Sequence, residues 1–245
     1  MRTARYVARF GESSADIHVA QRLRWRAFLA QDATSPEGRD ADPFDALCRH
    51  VLIEEATTGK LVCCYRILPL GPGEIDQSYA AQYYELSALK GFAGRMVEMG
   101  RFCIDPDHGR DPDILRVAWG AMTRYVDEEG VDMLFGCSSF KGTDAQHYLD
   151  AFTVLRARHL APTRWLPKVK APKVFRFAQL LRRKPDAKLA MLRMPPLLRT
   201  YLAMGGWVSD HAVVDDKMNT LHVFTGLEIG AIPAARKRLL RAVAG

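Results

Sequence analysis

The segment Met96-Val97-Glu98-Met99-Gly100-Arg101-Phe102-Cys103-Ile104-Asp105 constrains this chain most, because a carboxylate and a guanidinium stand inside a run otherwise apolar enough for a central strand. Charges carried into a sheet interior need partners, so the fold must bring charged groups of both signs to this strand. Glu98 and Arg101 lie three positions apart and point to opposite faces of a regular strand, unless a bulge at Gly100 re-aims one of them. Such a bulge would also leave backbone N–H groups to polarise a carbonyl oxygen. Further charges lie upstream: Arg24 and Phe28 on one face of a predicted helix, Asp42 and Asp45 flanking Phe44, and Arg66 within the apolar run 61–68. Two arginines and two aspartates converging with Glu98 and Arg101 suit a zwitterionic amino acid, guanidinium to carboxylate and carboxylate to ammonium. The same residues also suit an ion-pair network that only holds the amino-terminal helix on the sheet. Spacing alone leaves both open.

Around this strand the pattern alternates. A strand is predicted over 6–10, a helix from the N-cap candidates Ser13 and Ser14 to about Gln31, and a hairpin over 50–55 and 61–68 joined by Ala-Thr-Thr-Gly-Lys. A helical stretch over 79–89 and the strand 95–104 come next, followed by helix 114–129, strand 133–137 and helix 144–158. Pro195 and Pro196 open a helix that ends at Gly205-Gly206, two strands follow over 207–214 and 221–226, and a basic helix follows Pro233. Hairpins together with strand-helix-strand crossovers predict an α/β fold, a mixed sheet with helices on both faces, forming a single domain over 1–245.

Composition enters by exclusion. At 48% hydrophobic and 26% charged the chain has the make-up of a globular protein. Its longest stretches without Asp, Glu, Lys or Arg are ten residues, 200–209 and 218–227, half of what a membrane span needs. Five cysteines with no CxxC spacing, and an amino terminus without the apolar core of a secretory signal, predict reduced thiols and a cytoplasmic location. Segment 156–199 holds thirteen Lys or Arg against the single acid Asp186, more positive charge than the net +7 of the whole chain. Trp165, Val174, Phe175, Phe177, Leu180 and Leu181 interrupt it, which predicts an amphipathic basic surface for an anionic membrane or an acidic partner. No helix-turn-helix, RRM or KH pattern supports the remaining class, a nucleic-acid binder.

Other chemistries lack their residues. His147 and His159 lie twelve apart with no HExxH or Cys/His cluster, so no metal site is expected. GxSxG, GxGxxG and GxxxxGK[ST] are absent. Ser138-Ser139 follows a predicted strand, where it could hydrogen-bond a substrate but more often serves as a turn, and Cys63 and Cys64 read as packing residues.

The order Arg24-x3-Phe28, Asp42-x2-Asp45, Arg66 and Glu98-x2-Arg101-Phe102 resembles the signature of acyl-homoserine lactone synthases, an acyl-carrier-protein-using branch of the GNAT acyltransferases. The resemblance implies a GNAT-like sheet that admits pantetheine, with an amine attacking a thioester directly. Two departures refine it. Thr34 stands where those synthases usually carry a tryptophan, which argues against a pocket for S-adenosylmethionine. Asp107-His108-Gly109-Arg110-Asp111-Pro112 replaces the common CoA-binding loop, which favours a carrier-protein thioester, whose 4'-phosphopantetheine bears one phosphate. Further on, Leu192-Arg193-Met194-Pro195-Pro196-Leu197-Leu198-Arg199-Thr200-Tyr201-Leu202-Ala203-Met204-Gly205-Gly206 and Val214-Asp215-x3-Asn219-Thr220 are similar to bacterial ornithine lipid synthases, the L-ornithine Nα-acyltransferases.

That second resemblance implies transfer of a 3-hydroxyacyl group from acyl carrier protein to the α-amine of ornithine, with no bound cofactor and no metal. Glu98 and Arg101 would be catalytic, and Arg24, Phe28, Asp42, Asp45 and Arg66 would bind substrate. The basic segment would meet the carrier protein or the anionic inner membrane. Glutamine as acceptor and lactone synthesis are the alternatives.

Overall fold

The computed structural model describes residues 5–30, 38–109 and 111–244, so Gln31, Thr34 and Arg110 lie outside the described residues. In chain order the elements begin with strand β1 (Tyr6–Phe10), helix α1 (Ser14–Phe28), β2 (Arg49–Glu55), β3 (Leu61–Leu70), β4 (Tyr84–Glu85) and β5 (Met96–Ile104). Helix α2 (Pro112–Glu129), β6 (Met133–Lys141), α3 (Leu149–Arg158), β7 (Lys168–Val169), β8 (Val174–Phe175) and the short helices α4 (Phe177–Leu180) and α5 (Ala187–Arg193) follow. The chain closes with α6 (Pro196–Ala203), β9 (Trp207–Val208), β10 (Ala212–Asp215), β11 (Thr220–Glu228) and α7 (Ala234–Ala244). These elements group into two compact units. One holds the chain as far as Pro69, Met99–Gly130 and the stretch from Ala234; the other holds Leu70–Glu98 and Val131–Pro233.

In the first unit the strand order is β1-β2-β3-β5. The predicted hairpin is present, with Leu52 opposite Cys64 and His50 opposite Arg66, and Gly59 takes a φ of 69° in its connection, a conformation open to glycine. Helix α1 starts where the sequence places it: the Ser13 side chain accepts from the Asp16 N–H while the Asp16 side chain accepts from the Ser13 N–H. Neighbouring residues of β3 face opposite ways. Cys64 packs toward α1 in a cluster with Ala20, Leu23, Leu52 and Cys103. Tyr65 donates its hydroxyl to the Ala118 carbonyl of α2 at 3.1 Å. Helices therefore cover both faces of this sheet segment. Asp111 caps α2 and Gly130 ends it at a φ of 62°.

The second unit carries the mixed sheet that the alternating pattern predicts. Strand β5 runs parallel to β6, with Glu98 opposite Phe135, and β6, β11, β10 and β8 then pair antiparallel in that order. On one face Phe140, Leu221 and Val223 pack against Phe152 and Leu155 of α3 and against Phe177 and Leu198. The register places Glu98, Phe135, Cys137, Ser139, His222 and Asp215 on the other face.

Three expectations change. Segment 79–89 is not one helix but short 3-10 turns, Ala80–Gln82 and Ser87–Gly91, around β4, which pairs with β7. Tertiary contacts override the helical period there: Glu98 takes the N–H groups of Tyr79 and Ala80, and Tyr84 is drawn inside with its hydroxyl on the His222 carbonyl. Ser138 and Ser139 lie within β6 rather than in a turn, and buried Ser138 accepts a hydrogen bond from Thr225 at 2.9 Å. In the basic segment Phe177 and Leu181 belong to the core instead of an exposed amphipathic face, with Phe175 packed against them. The exposed large apolar residues of this segment are Leu160, Leu180, Met191 and Leu192. Among the described residues no helix is long and apolar enough to cross a membrane.

Candidate active site

The first unit gathers three arginines and three aspartates into one network. Arg24, on α1 and 1% exposed, forms a two-pronged pair with Asp45, Nη1 to Oδ1 at 2.6 Å and Nη2 to Oδ2 at 2.9 Å. Its Nε lies 3.1 Å from Asp40 Oδ2, and its Nη2 also donates to the Asp40 carbonyl. Arg66, on β3, spans Asp42 with bonds of 2.6 and 2.8 Å and reaches Asp45 at 2.8 Å. Arg101, on β5, donates from Nε to Asp40 at 2.9 Å and from Nη2 to Asp42 at 3.2 Å. Gln21 adds a bond to Asp45 at 2.9 Å. The formal charges cancel.

Local chemistry presents these acids. Asp42 caps the 3-10 turn Pro43–Ala46 by accepting from the Phe44 N–H, and Asp45 in turn accepts from the Asp42 N–H. Burial pushes the Asp45 carboxyl up, but the bonds from Arg24 and Gln21 and the charges of Arg24 and Arg66 hold it well below the usual carboxylate range. Asp42 is held low in the same way, against burial, by Arg66 and Arg101. Phe44 lies under the Arg66 guanidinium at 5.7 Å from the ring centre.

The irregularity expected at Gly100 is carried by Arg101 itself, whose φ is 54°. A left-handed non-glycine residue costs of order 1–2 kcal/mol, and the two carboxylates on its guanidinium offset that cost. Phe28 packs against the apolar cluster of Leu23, Cys64 and Cys103.

Glu98 belongs to the second unit and is 4% exposed. Its two oxygens accept the N–H groups of Tyr79 at 2.6 Å and Ala80 at 2.7 Å, which fix the carboxylate at the start of a 3-10 turn. The face it shares opens outward, since Ser139 is exposed and Cys137, Tyr79 and Tyr83 are half-buried.

Sequence reasoning missed three residues. Asp40 pairs with two arginines, and the signal for it was the spacing Asp40-x-Asp42-x2-Asp45 on one polar loop facing three arginines. Asp215 and His222 share the Glu98 face, which follows only once β10 and β11 are in register. Among the described residues no group of three or more His, Cys, Asp or Glu is placed to hold a metal ion.

Residues 23–120 match the acetyltransferase (GNAT) domain family. The chain is 31% identical over 240 residues to the L-ornithine N(alpha)-acyltransferase of Rhodobacter capsulatus, covering 93% of this chain and 91% of that one. It is 30% identical over 248 residues to the L-ornithine N(alpha)-acyltransferase of Rhizobium meliloti, covering 94% and 82%. Among solved structures, an N-acyl amino acid synthase from uncultured soil microbes aligns over 93% of this chain and 94% of its own, with a TM-score of 0.54 at 13% identity, a likeness of fold.

Proposed function

This chain belongs to the family of L-ornithine Nα-acyltransferases, and we propose that it moves a 3-hydroxyacyl group from acyl carrier protein to the α-amine of L-ornithine, giving lyso-ornithine lipid. The observation that carries the chemistry is Glu98, a buried carboxylate anchored by two peptide N–H groups on a polar sheet face. An α-amine has a pKa of about 7.7–8.0, so near neutral pH it must lose a proton to become a nucleophile. Glu98 collects that proton, directly or through one water. Glu98 passes that first proton on to solvent, and the neutral nitrogen attacks the thioester carbonyl, forming the C–N bond. As the tetrahedral adduct collapses the C–S bond breaks, and the second proton of the nitrogen passes through Glu98 to the departing pantetheine sulfur. Peptide N–H groups of β5 beside Glu98 are the donors this reading assigns to the tetrahedral oxyanion, typically about 3–4 kcal/mol each. The network of Arg24, Asp40, Asp42, Asp45, Arg66 and Arg101 acts in positioning, tying α1 and the loop after it to β3 and β5.

The donor is a carrier-protein thioester rather than free CoA. The amino-terminal end of α2, an anion site in principle, is taken by the protein's own carboxylate: Asp111 accepts the Asp113 N–H at 3.0 Å. Asp111 is further held by Tyr6 and Arg5, each at 2.7 Å. A pyrophosphate would meet that fixed negative charge, whereas phosphopantetheine brings one phosphate. Exposed Arg182, Arg183 and Lys188, with Leu180, Met191 and Leu192, give a cationic surface with apolar side chains, suited to an acidic carrier protein and to rest on an anionic leaflet.

The test is to mix the protein with 3-hydroxyacyl carrier protein and each candidate amino acid and weigh the products. Nα-acyl-ornithine is expected, with a KM for the carrier that rises with salt; transfer from acyl-CoA equally well, or to no amino acid, overturns the reading.

No side chain is acylated on this route. Cys103 is buried beside Cys64, and burial first, then Cys64, pushes its thiol well above the ordinary value, which disfavours the thiolate. Cys103→Ala and Cys137→Ala are each expected to keep turnover within a few-fold in the same assay. Loss of transfer by either variant, with its circular dichroism intact, would point to a covalent intermediate.

A further inference from the structure

The sheet face that carries Glu98 also carries polar side chains for which the transfer described above has no use. Asp215, at the end of β10, is 6% exposed. Its Oδ1 accepts the N–H groups of Lys217 at 3.0 Å and Met218 at 3.1 Å, closing the turn into β11. Its Oδ2 stands 3.4 Å from the Tyr83 hydroxyl, and that hydroxyl lies 3.2 Å from the hydroxyl of Tyr79. His222 is 3% exposed and packs edge-on to the Tyr83 ring, with 4.9 Å between ring centres.

The hydrogen bonds decide the state of that imidazole. Tyr84 has one hydroxyl proton and gives it to the His222 carbonyl at 2.8 Å, so its oxygen accepts from His222 Nδ1–H at 3.2 Å. Nε2 then carries a lone pair, buried and with no hydrogen-bond partner among the described residues. Burial lowers the His222 pKa to about 4, against the pull of Asp215, so the ring is neutral at physiological pH. A carboxylate oxygen, a bare imidazole nitrogen and a phenol oxygen are three acceptors carrying one negative charge. Their complement is an ammonium group, and the rings of Tyr79 and Tyr83 add attraction for a cation.

Asp215 would hold an amine in its protonated form. That is wrong for the attacking nitrogen and right for one that never reacts. Tyr79 links the two groups: its N–H is 2.6 Å from Glu98, its hydroxyl lies 3.2 Å from that of Tyr83, and the Tyr83 hydroxyl lies 3.4 Å from Asp215. The two carboxylates therefore share one sheet face and are bridged by Tyr79 and Tyr83, and a 2,5-diamino acid has one nitrogen to offer each.

We infer that Tyr83, Asp215 and His222 form the subsite for the side-chain ammonium of the acceptor and select a diamino acid over glutamine or any neutral side chain; this rests on the acyl transfer proposed above. The experiment measures kcat/KM with 3-hydroxyacyl carrier protein and ornithine, glutamine or norvaline, which is ornithine without its side-chain amine. Wild type, Asp215→Asn and Tyr83→Phe are compared. Asparagine keeps an Oδ1 for the Lys217 and Met218 N–H groups, so the turn stays closed, while the negative charge is gone and amide protons face the ammonium. The wild-type preference for ornithine over norvaline is expected to fall about tenfold or more in Asp215→Asn, through the KM for ornithine, and less in Tyr83→Phe. An equal fall for ornithine and norvaline, an unaltered preference, or a wild type that takes glutamine as readily as ornithine overturns the subsite and leaves the acyl transfer standing. No transfer to any amino acid overturns both.

Discussion

Glu98→Gln is expected to lower kcat for acyl transfer to ornithine by about 10²- to 10⁴-fold, the usual contribution of a positioned general base, with little change in KM for either substrate. The wild-type carboxylate has two jobs, since it accepts the Tyr79 and Ala80 N–H groups and is assigned the proton of the attacking amine. Glutamine offers one oxygen and an NH2 group, so one peptide N–H faces a donor, and a modest loss of thermal stability accompanies the loss of rate. Two readouts separate base from anchor. In Glu98→Ala, added formate should restore part of the rate, because a small carboxylate supplies a proton acceptor and cannot rebuild the turn. Raising the pH through the α-amine's own range, about 7.7–8.0, should narrow the gap between wild type and Glu98→Gln, because less of the acceptor then needs deprotonation. A variant that keeps wild-type kcat while melting earlier would leave Glu98 a structural residue only.

What was legible in the sequence follows from how local each decision is. Strand β1 and the β2–β3 hairpin are set by alternation and turn chemistry within a dozen residues, and they stand where the sequence places them. The Ser13 cap of α1 is equally local. Segment 79–89 has helical spacing, yet its N–H groups at Tyr79 and Ala80 belong to Glu98 and its Tyr84 belongs to a core around His222, partners far away in sequence. Within the candidate site, a charge inside an apolar run was a sufficient signal for Glu98 and Arg101, because such a charge demands explanation wherever the chain goes. Asp40 was invisible for the opposite reason: an aspartate in a polar loop demands nothing until the loop folds back onto Arg24 and Arg101. The faces shared by Glu98, His222 and Asp215 depend on strand register, and a slip of one residue would reverse them.

Arg24→Ala is expected to be among the most destabilising single substitutions in the chain, costing about 3–5 kcal/mol in denaturant unfolding, because it leaves Asp45 and Asp40 buried beside a missing charge. Arg24→Lys recovers little, since an ammonium cannot reproduce the two-pronged contact at 2.6 and 2.9 Å. Asp45→Ala made on top of Arg24→Ala should cost far less than in the wild type, the mark of two residues acting as one unit. The pH dependence carries the sign. Asp45 is held below its unfolded value of about 3.9, so its contribution is fully present above that pH and is lost as pH falls toward the folded value. Arg24→Ala removes much of the attraction that lowers it, so the stability gap between wild type and variant should be constant near neutrality and shrink below about pH 4. If Arg24 serves only to bind substrate, the unfolding midpoint stays put at every pH and the KM for ornithine rises instead. A fall in stability with an unchanged KM assigns the arginine to the framework that holds α1 against β3, and with it the three aspartates that surround it.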